Sequence, residues 1–309
     1  MRVAFFGTPE FAAPSLRALV GEGFDVVAVV TQPDAPQGRS RSKLVPPPVK
    51  VAAEAEELPV FQPESPSDGA FMLRLRERRP DIGVVVAYGH ILRKDLLELP
   101  PRGMINVHPS LLPGLRGAAP IEWAIIRGFE TTGVTIMQMD TGMDSGPILH
   151  QIPHRIDPDV TGGELATHLA EVGAQALIET LALLEQSAVE PVPQNDARAT
   201  YAPKLTRETA RIDWTMEAVA ISRLVRALDP RPGAWTELEG RELKLFTPRA
   251  VPDRAGAPGE ILDARGSLVV ATGAGAALEF FEVQPAGKAR MAADDWLRGA
   301  RVDPGRRLT

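Results

Sequence analysis

Residues 104–128 read MINVHPSLLPGLRGAAPIEWAIIRG. The segment begins as a short apolar strand, Met104 to His108. It ends as a helix carried by APIEWAIIRG, residues 119–128. Between the two, prolines and glycines hold the chain open. At the strand end Asn106, His108 and Ser110 fall at alternate positions, and alternate strand residues leave the same face. A soluble chain thus gathers three polar side chains at a strand end and stiffens the loop behind them.

The flanking sequence repeats the strand-then-helix pattern. RVAFFG (2–7), DVVAVVTQ (25–32), PVFQ (59–62), DIGVVVAYG (81–89) and GVTIMQMD (133–140) are short apolar runs. Helical spacing separates them in PEFAAPSLRALVGEG (9–23), VKVAAEAEE (49–57) and FMLRLRERRP (71–80). The segment 161–186 opens with a capping box, Thr161 to Glu164, and runs long. Short buried strands joined by helices imply an α/β fold with a mostly parallel sheet and helices on both faces. Ligands of such sheets sit outside the carboxyl ends of the strands, where His108 lies.

The pattern lapses over SAVEPVPQNDARATYAPKLT, residues 187–206, which reads as a linker along the surface. Beyond it come a helix, MEAVAISRLVRAL, and five short strands spaced by turn residues: AWTELEG, RELKLF, GEILDA, SLVVATG and LEFFEVQ. That spacing predicts a small β-barrel. The expected division is a catalytic domain over 1–188, a linker over 189–206 and a barrel domain over 207–309.

Composition narrows the class. The 309 residues suffice for two domains and include no cysteine, which excludes disulfides, thiolate metal ligands and a cysteine nucleophile. No run approaches the roughly 18 apolar residues of a membrane span. The start, MRVAFFGTPEF, reads as a first strand and not as an export signal. A cytoplasmic protein without membrane contact is expected, and a monomer. Net charge is −6, but residues 207–309 carry 16 basic against 15 acidic side chains. The C-terminal third therefore repels a polyanion least.

GTPEF after the first strand lacks the G-x-G-x-x-G spacing of dinucleotide sites, and there is no Walker A loop. The histidines, at 90, 108, 150, 154 and 168, form no H-E-x-x-H pair, so no metal is assigned. Asn106 offers amide donors, and His108 a donor, an acceptor or a cation. Together they suit an oxyanion developing on a carbonyl. Asp140 and Asp144, in MDTGMDSGPIL, could orient His108 and favour its protonated form. Ser110 has no G-x-S-x-G context for a nucleophile. The chemistry that fits is acyl transfer in which the substrate brings its own nucleophile. Singly, a strand-end histidine is more often structural than catalytic, and an Asp-Gly loop is usually just a turn. Their joint occurrence on one face changes that.

The stretch NVHPSLLPGLRGAAP followed by TGMDSGPIL resembles the core of the folate-dependent formyltransferases. FFGTPEFAAPSLRAL, TQPDAPQGR, PPVK, VVVAYG, YAPKLTRETARIDW and QPAGKARM are similar to the methionyl-tRNA formyltransferase family within it, over nearly the whole chain. The resemblance implies a Rossmann-like first domain and a C-terminal barrel of oligonucleotide-binding type. It implies transfer of a formyl group from 10-formyltetrahydrofolate to the methionine amino group of initiator methionyl-tRNA. It places catalysis on Asn106, His108 and Asp144. It places the folate on Ser110, Leu111, Leu112 and Pro113, and on the loops of Gly89 and Asp140. It places tRNA contacts on the basic loop GRSRSK, at Arg39, Arg41 and Lys43. His90, after AYG, is either a folate contact or a solvated loop residue. The rival readings are a formyltransferase acting on an amino sugar nucleotide, which would need neither the basic loop nor QPAGKARM, and a non-catalytic RNA-binding module, which would need no Asn106–His108–Asp144 set.

Overall fold

The computed structural model describes residues 1–37 and 43–309. The chain forms two compact units. One comprises residues 1–120, 131–155 and 166–202; the other comprises 121–130, 156–165 and 203–309.

The first unit follows the apolar runs. β1 (Arg2–Gly7) leads through α1 (Ala13–Gly21) to β2 (Asp25–Val30). A two-stranded ribbon follows, β3 (Ala35–Gln37) and β4 (Lys43–Val45), then α2 (Pro48–Ala55), β5 (Val60–Phe61) and α3 (Gly69–Glu77). Next come β6 (Ile82–Val86), the short α4 (Lys94–Leu97) and β7 (Met104–His108). A two-residue strand, β8 (Arg116–Gly117), precedes β9 (Thr131–Gln138), β10 (Ile148–Arg155) and the long α6 (Gly162–Glu185), whose first turn belongs to the second unit, as does nearly all of α5 (Pro120–Ile126) between β8 and β9.

The sheet order is β10-β9-β7-β6-β1-β2-β5. β7, β6, β1, β2 and β5 run parallel, while β9 and β10 add an antiparallel edge. The mostly parallel sheet is therefore as expected, with one element unforeseen. β10, ILHQIPHR, is half-exposed along most of its length and carries no apolar run to betray it. β1 is buried on both faces. Ala4 and Phe6 join a core with Phe71, Met72 and Leu75 of α3, and Val3 and Phe5 are equally inaccessible on the other side. A strand that is apolar at every position can be covered only this way.

The segment read as a linker is structured. Val192 bridges Ile148, and β11 (Tyr201–Ala202) pairs in parallel with β8, Tyr201 beside Arg116 and Ala202 beside Gly117.

In the second unit the capping box closes as its sequence predicts. The Thr161 N–H donates to Glu164 Oε2 at 2.9 Å, and the Glu164 N–H to Thr161 Oγ1 at 3.2 Å. α7 (Ala218–Ala227) precedes a curled antiparallel sheet, in the order β12 (Ala234–Leu238), β13 (Arg241–Val251), β16 (Ala277–Pro285), β15 (Leu268–Ala271), β14 (Ile261–Asp263). β17 (Met291–Ala292) pairs with β16, and α8 (Ala293–Ala300) follows. Trp214 anchors the core, edge-on to Phe280 at 6.0 Å, with its indole N–H on Thr236 Oγ1 at 3.0 Å. The last residues join the two outer strands. Ile261 N–H donates to Arg306 O and Gly305 N–H to Ile261 O, both at 2.8 Å. On the other side Thr309 N–H donates to Glu237 O at 3.0 Å, and Glu237 N–H to Thr309 O at 2.9 Å. Leu308 between them is buried.

Candidate active site

β7 delivers Asn106 and His108 two residues apart, at the carboxyl end of a strand held between β6 and β9. Asn106 is half-buried, and among the described residues its side-chain amide bonds to none. His108 is 3% exposed. Its Nε2 lies 3.0 Å from the Leu115 carbonyl oxygen, and its Nδ1 lies 3.7 Å from Asp144 Oδ2. A carbonyl can only accept, so Nε2 carries the proton. In the neutral ring Nδ1 is then a bare acceptor facing a carboxylate, and a gap too long for a hydrogen bond is what two acceptors adopt. Burial pushes the His108 pKa below its ordinary 6.5; the Asp144 charge and the Leu115 carbonyl oppose that shift without overcoming it. The imidazole is neutral at pH 7 and has a place ready for one proton between Nδ1 and Oδ2.

Of the two carboxylates the sequence offers, Asp144 reaches the imidazole. Oδ2 also accepts the Gly117 N–H at 2.8 Å. Asp144 is left-handed, φ 49°, in a loop that folds back from β9. Asp140 lies elsewhere. It follows Met139, whose N–H bonds Met104 O at the opposite end of β7 from His108. Its Oδ1 accepts the Gly142 N–H at 2.9 Å and the Ser145 hydroxyl at 3.0 Å, so it braces the turn. It also lines a cleft of about 730 Å³ with Lys94, Arg102 and Gly103.

The Ser110–Pro113 loop is pinned from below. Ser110 is buried and its hydroxyl donates to Gly114 O at 2.6 Å, so it shapes the loop and is not poised as a nucleophile. Thr135, wholly buried beside His108 on β9, is the hub. Its hydroxyl donates to Ser110 O at 2.6 Å and accepts the Leu112 N–H at 3.0 Å and Gln151 Nε2 at 2.8 Å. Gln151 of β10 also donates to Leu112 O at 3.0 Å. Leu112 is buried, while Leu111 and Pro113 stay half-exposed as a rim. Gly89 leaves β6 at the same sheet edge with φ 85°, and the preceding carbonyl, of Tyr88, accepts from Thr8 Oγ1 and Gln32 Nε2. His90 is exposed, its ring 5.3 Å from that of Tyr88.

Arg39 and Arg41 lie outside the described residues, and Lys43 is placed only as the first residue of β4. The ribbon that bears this loop is rooted firmly. Asp34 holds Lys50 Nζ at 2.9 Å and Gln62 Nε2 at 2.7 Å, and these bonds keep its carboxyl below the usual range. Among the described residues no cluster of His, Asp or Glu could hold a metal ion. Among the described residues no helix is long and apolar enough to cross a membrane.

Sequence reasoning missed Thr135 and Gln151, and it missed Arg116 and Gln194 behind Asp144. Thr135 had a signal: it is the polar residue inside the apolar run GVTIM.

Residues 1–181 match the "Formyl transferase" family, and residues 204–301 match "Formyl transferase, C-terminal domain". The chain belongs to the formyl transferase family. A methionyl-tRNA formyltransferase of Roseiflexus sp. (strain RS-1) is 47% identical over 311 residues, covering 100% of this chain and 95% of that relative. One of Geobacter metallireducens is 45% identical over 309 residues, covering 100% and 98%. The fold is also that of the methionyl-tRNA formyltransferase from Clostridium thermocellum (TM-score 0.56, 15% identity, 81% of this chain and 93% of that one). It is equally that of WlaRD, a sugar 3N-formyl transferase (TM-score 0.68, 15% identity, 94% and 99%). Fold alone therefore does not separate the two substrate classes. Identity of 45–47% along the full length does, and it lies with the methionyl-tRNA enzymes.

Proposed function

We propose that the protein transfers the formyl group of 10-formyltetrahydrofolate to the α-amino group of methionine on initiator tRNA, in the cytoplasm and as a monomer. The observation that carries the reading is the neutral, buried His108 set between a carbonyl and the Asp144 carboxylate, two residues from the free amide of Asn106.

The proton place between His108 Nδ1 and Asp144 Oδ2 receives the proton that the α-amine loses as it attacks the formyl carbon. Asn106 donates to the oxygen as it becomes tetrahedral, from a position fixed before the reaction starts. With Nε2–H already given to Leu115 and Nδ1 facing Asp144, His108 serves as the base, and Asn106 is the oxyanion donor. Collapse of the tetrahedral adduct breaks the bond to N10 of the folate, which leaves with the proton returned from the His108–Asp144 pair. Leu111 and Pro113, a rim on a loop that Thr135 and Gln151 immobilise, fit the flat face of an aromatic co-substrate, and the Gly89 loop completes its surroundings together with the turn that Asp140 braces, through Ser145, next to Asp144. Arg39, Arg41 and Lys43 contact the tRNA backbone. Residues 1–188 carry the chemistry, 189–206 connect, and 207–309 receive the tRNA.

The test is direct. The full chain is incubated with formyl donor and either charged initiator tRNA or an amino sugar nucleotide, and product is measured. Formylation of the charged tRNA alone is expected. Formylation of the sugar instead, or of neither, would overturn the reading.

A further inference from the structure

Asp144 is exposed to error. It sits in a loop with exposed neighbours, Thr141 to Met143, and its carboxylate faces His108 across 3.7 Å, where a small displacement changes the interaction. Two holds fix it, one on the carboxylate and one on the backbone. The Gly117 N–H takes the carboxylate at 2.8 Å. Gln194 takes the backbone: its Nε2 donates to Asp144 O at 2.8 Å and to Gly146 O at 2.7 Å, using both amide hydrogens. Gln194 cannot be flipped, because its Oε1 accepts Arg116 Nε at 3.1 Å and a terminal guanidinium nitrogen at 2.8 Å. Arg116 is 4% exposed, and its charge is met by Asp196 at 2.8 Å. A buried guanidinium with two oxygen partners is expensive to misplace, so it acts as a fixed stop. Arg116 immediately precedes Gly117. One dipeptide thus grips the same aspartate at both ends, the carboxylate through the Gly117 backbone and the main chain through the Arg116 side chain and Gln194. Gly117 must be glycine here: its φ is 118°, and a Cβ would stand 2.8 Å from Ala202 O.

We infer that Gln194 and Arg116 are positioning residues for Asp144, so that the segment between the domains, read from sequence as a plain connector, is part of the apparatus that sets the proton acceptor. The inference rests on the proposed role of Asp144.

The experiment uses the full chain with Gln194→Glu, Arg116→Lys, Asp144→Asn, and Gln194→Glu combined with Asp144→Asn. Gln194→Glu keeps the acceptor for Arg116 but replaces the donor to Asp144 O and Gly146 O with a second oxygen. Its kcat is expected to fall about ten- to hundredfold, as small misplacements at a reacting centre do, while KM for the formyl donor stays within about twofold. Arg116→Lys, which retains one donor to Gln194, should fall between this variant and the parent. In the Asp144→Asn background, Gln194→Glu should cost less than about twofold more, because residues acting through one another are not additive. An equal cost in both backgrounds, or a loss expressed in KM alone, would overturn the inference. So would full kcat in both Gln194→Glu and Arg116→Lys beside an inactive Asp144→Asn. Full activity of Asp144→Asn would instead overturn the proposed role of Asp144 itself, and the two failures are thereby told apart.

Discussion

His108 is a histidine held neutral by burial, and that has a sign. In the unfolded chain its ring takes a proton as pH falls below about 6.5. In the folded chain burial delays this to lower pH. Between the two values the unfolded state binds more protons, so stability rises with pH there. The contribution is complete above about 6.5 and is lost as pH falls through the folded value. Urea melts at pH 7.5 and 5.5 are expected to show the advantage of the parent over His108→Gln shrinking at the lower pH; a gap independent of pH would show that the ring is not buried neutral. Asn106 has a different signature. Its side-chain amide bonds to nothing among the described residues, so Asn106→Ala should fold normally while formyl transfer falls about a hundredfold or more, as for loss of an oxyanion donor. Asn106 and His108 were legible because strand alternation alone places them together. The choice of Asp144 over Asp140 came from the family resemblance alone, since from the residues it depends on how a nine-residue excursion between β9 and β10 folds back.

At the scale of elements, the loop after β7 owes its shape to β9, which the sequence showed as an apolar run, and to β10, which it did not show. Thr135→Val is nearly isosteric but removes the hub of β9. Ser110 O, Leu112 N–H and Gln151 Nε2 then each lose a partner. Each buried group left short costs about 1–3 kcal/mol, so a loss of at least that size in denaturant melts is expected, together with a raised KM for the formyl donor. Unchanged KM would mean the rim holds its shape without Thr135. The parallel strands were readable because strands covered on both faces are apolar throughout. β10 was not, because an edge strand needs no such run, and its Gln151 has a partner only once β9 is alongside. The ribbon β3–β4 belongs to this scale too. Its roots are tied by Asp34, Lys50 and Gln62, and the arginines between its strands are free of apolar neighbours in sequence. Neutralising Arg39, Arg41 and Lys43 together should weaken use of charged tRNA and leave folate binding intact. The log–log salt slope should flatten by about 0.7 to 0.9 per lost phosphate contact. An unchanged slope would remove this loop from the tRNA interface.

For the whole molecule, acidity and substrate stand in tension: a chain of net charge −6 must accept a polyanion, and only its local charge distribution allows that. Five of the six strands of the C-terminal sheet were visible as short runs between turns, whereas the two-residue β17 and the role of residues 305–309 were not, for GRRLT has no strand pattern. Its backbone hydrogen bonds to β12 and β14 flank the buried Leu308, and its two arginines add side-chain bonds, Arg306 to the Glu239 carboxylate and Arg307 Nε to Pro258 O at 2.8 Å. Those two strands are the outer members of their sheet, and an outer strand with unpaired N–H and C=O groups is a template for another copy. The five-residue tail therefore also guards solubility. Removing residues 305–309 should bare two adhesive borders at once. Light scattering that grows with protein concentration, at temperatures where the parent stays clear, is the expected result, and a truncated chain as clear as the parent would mean the borders are protected some other way.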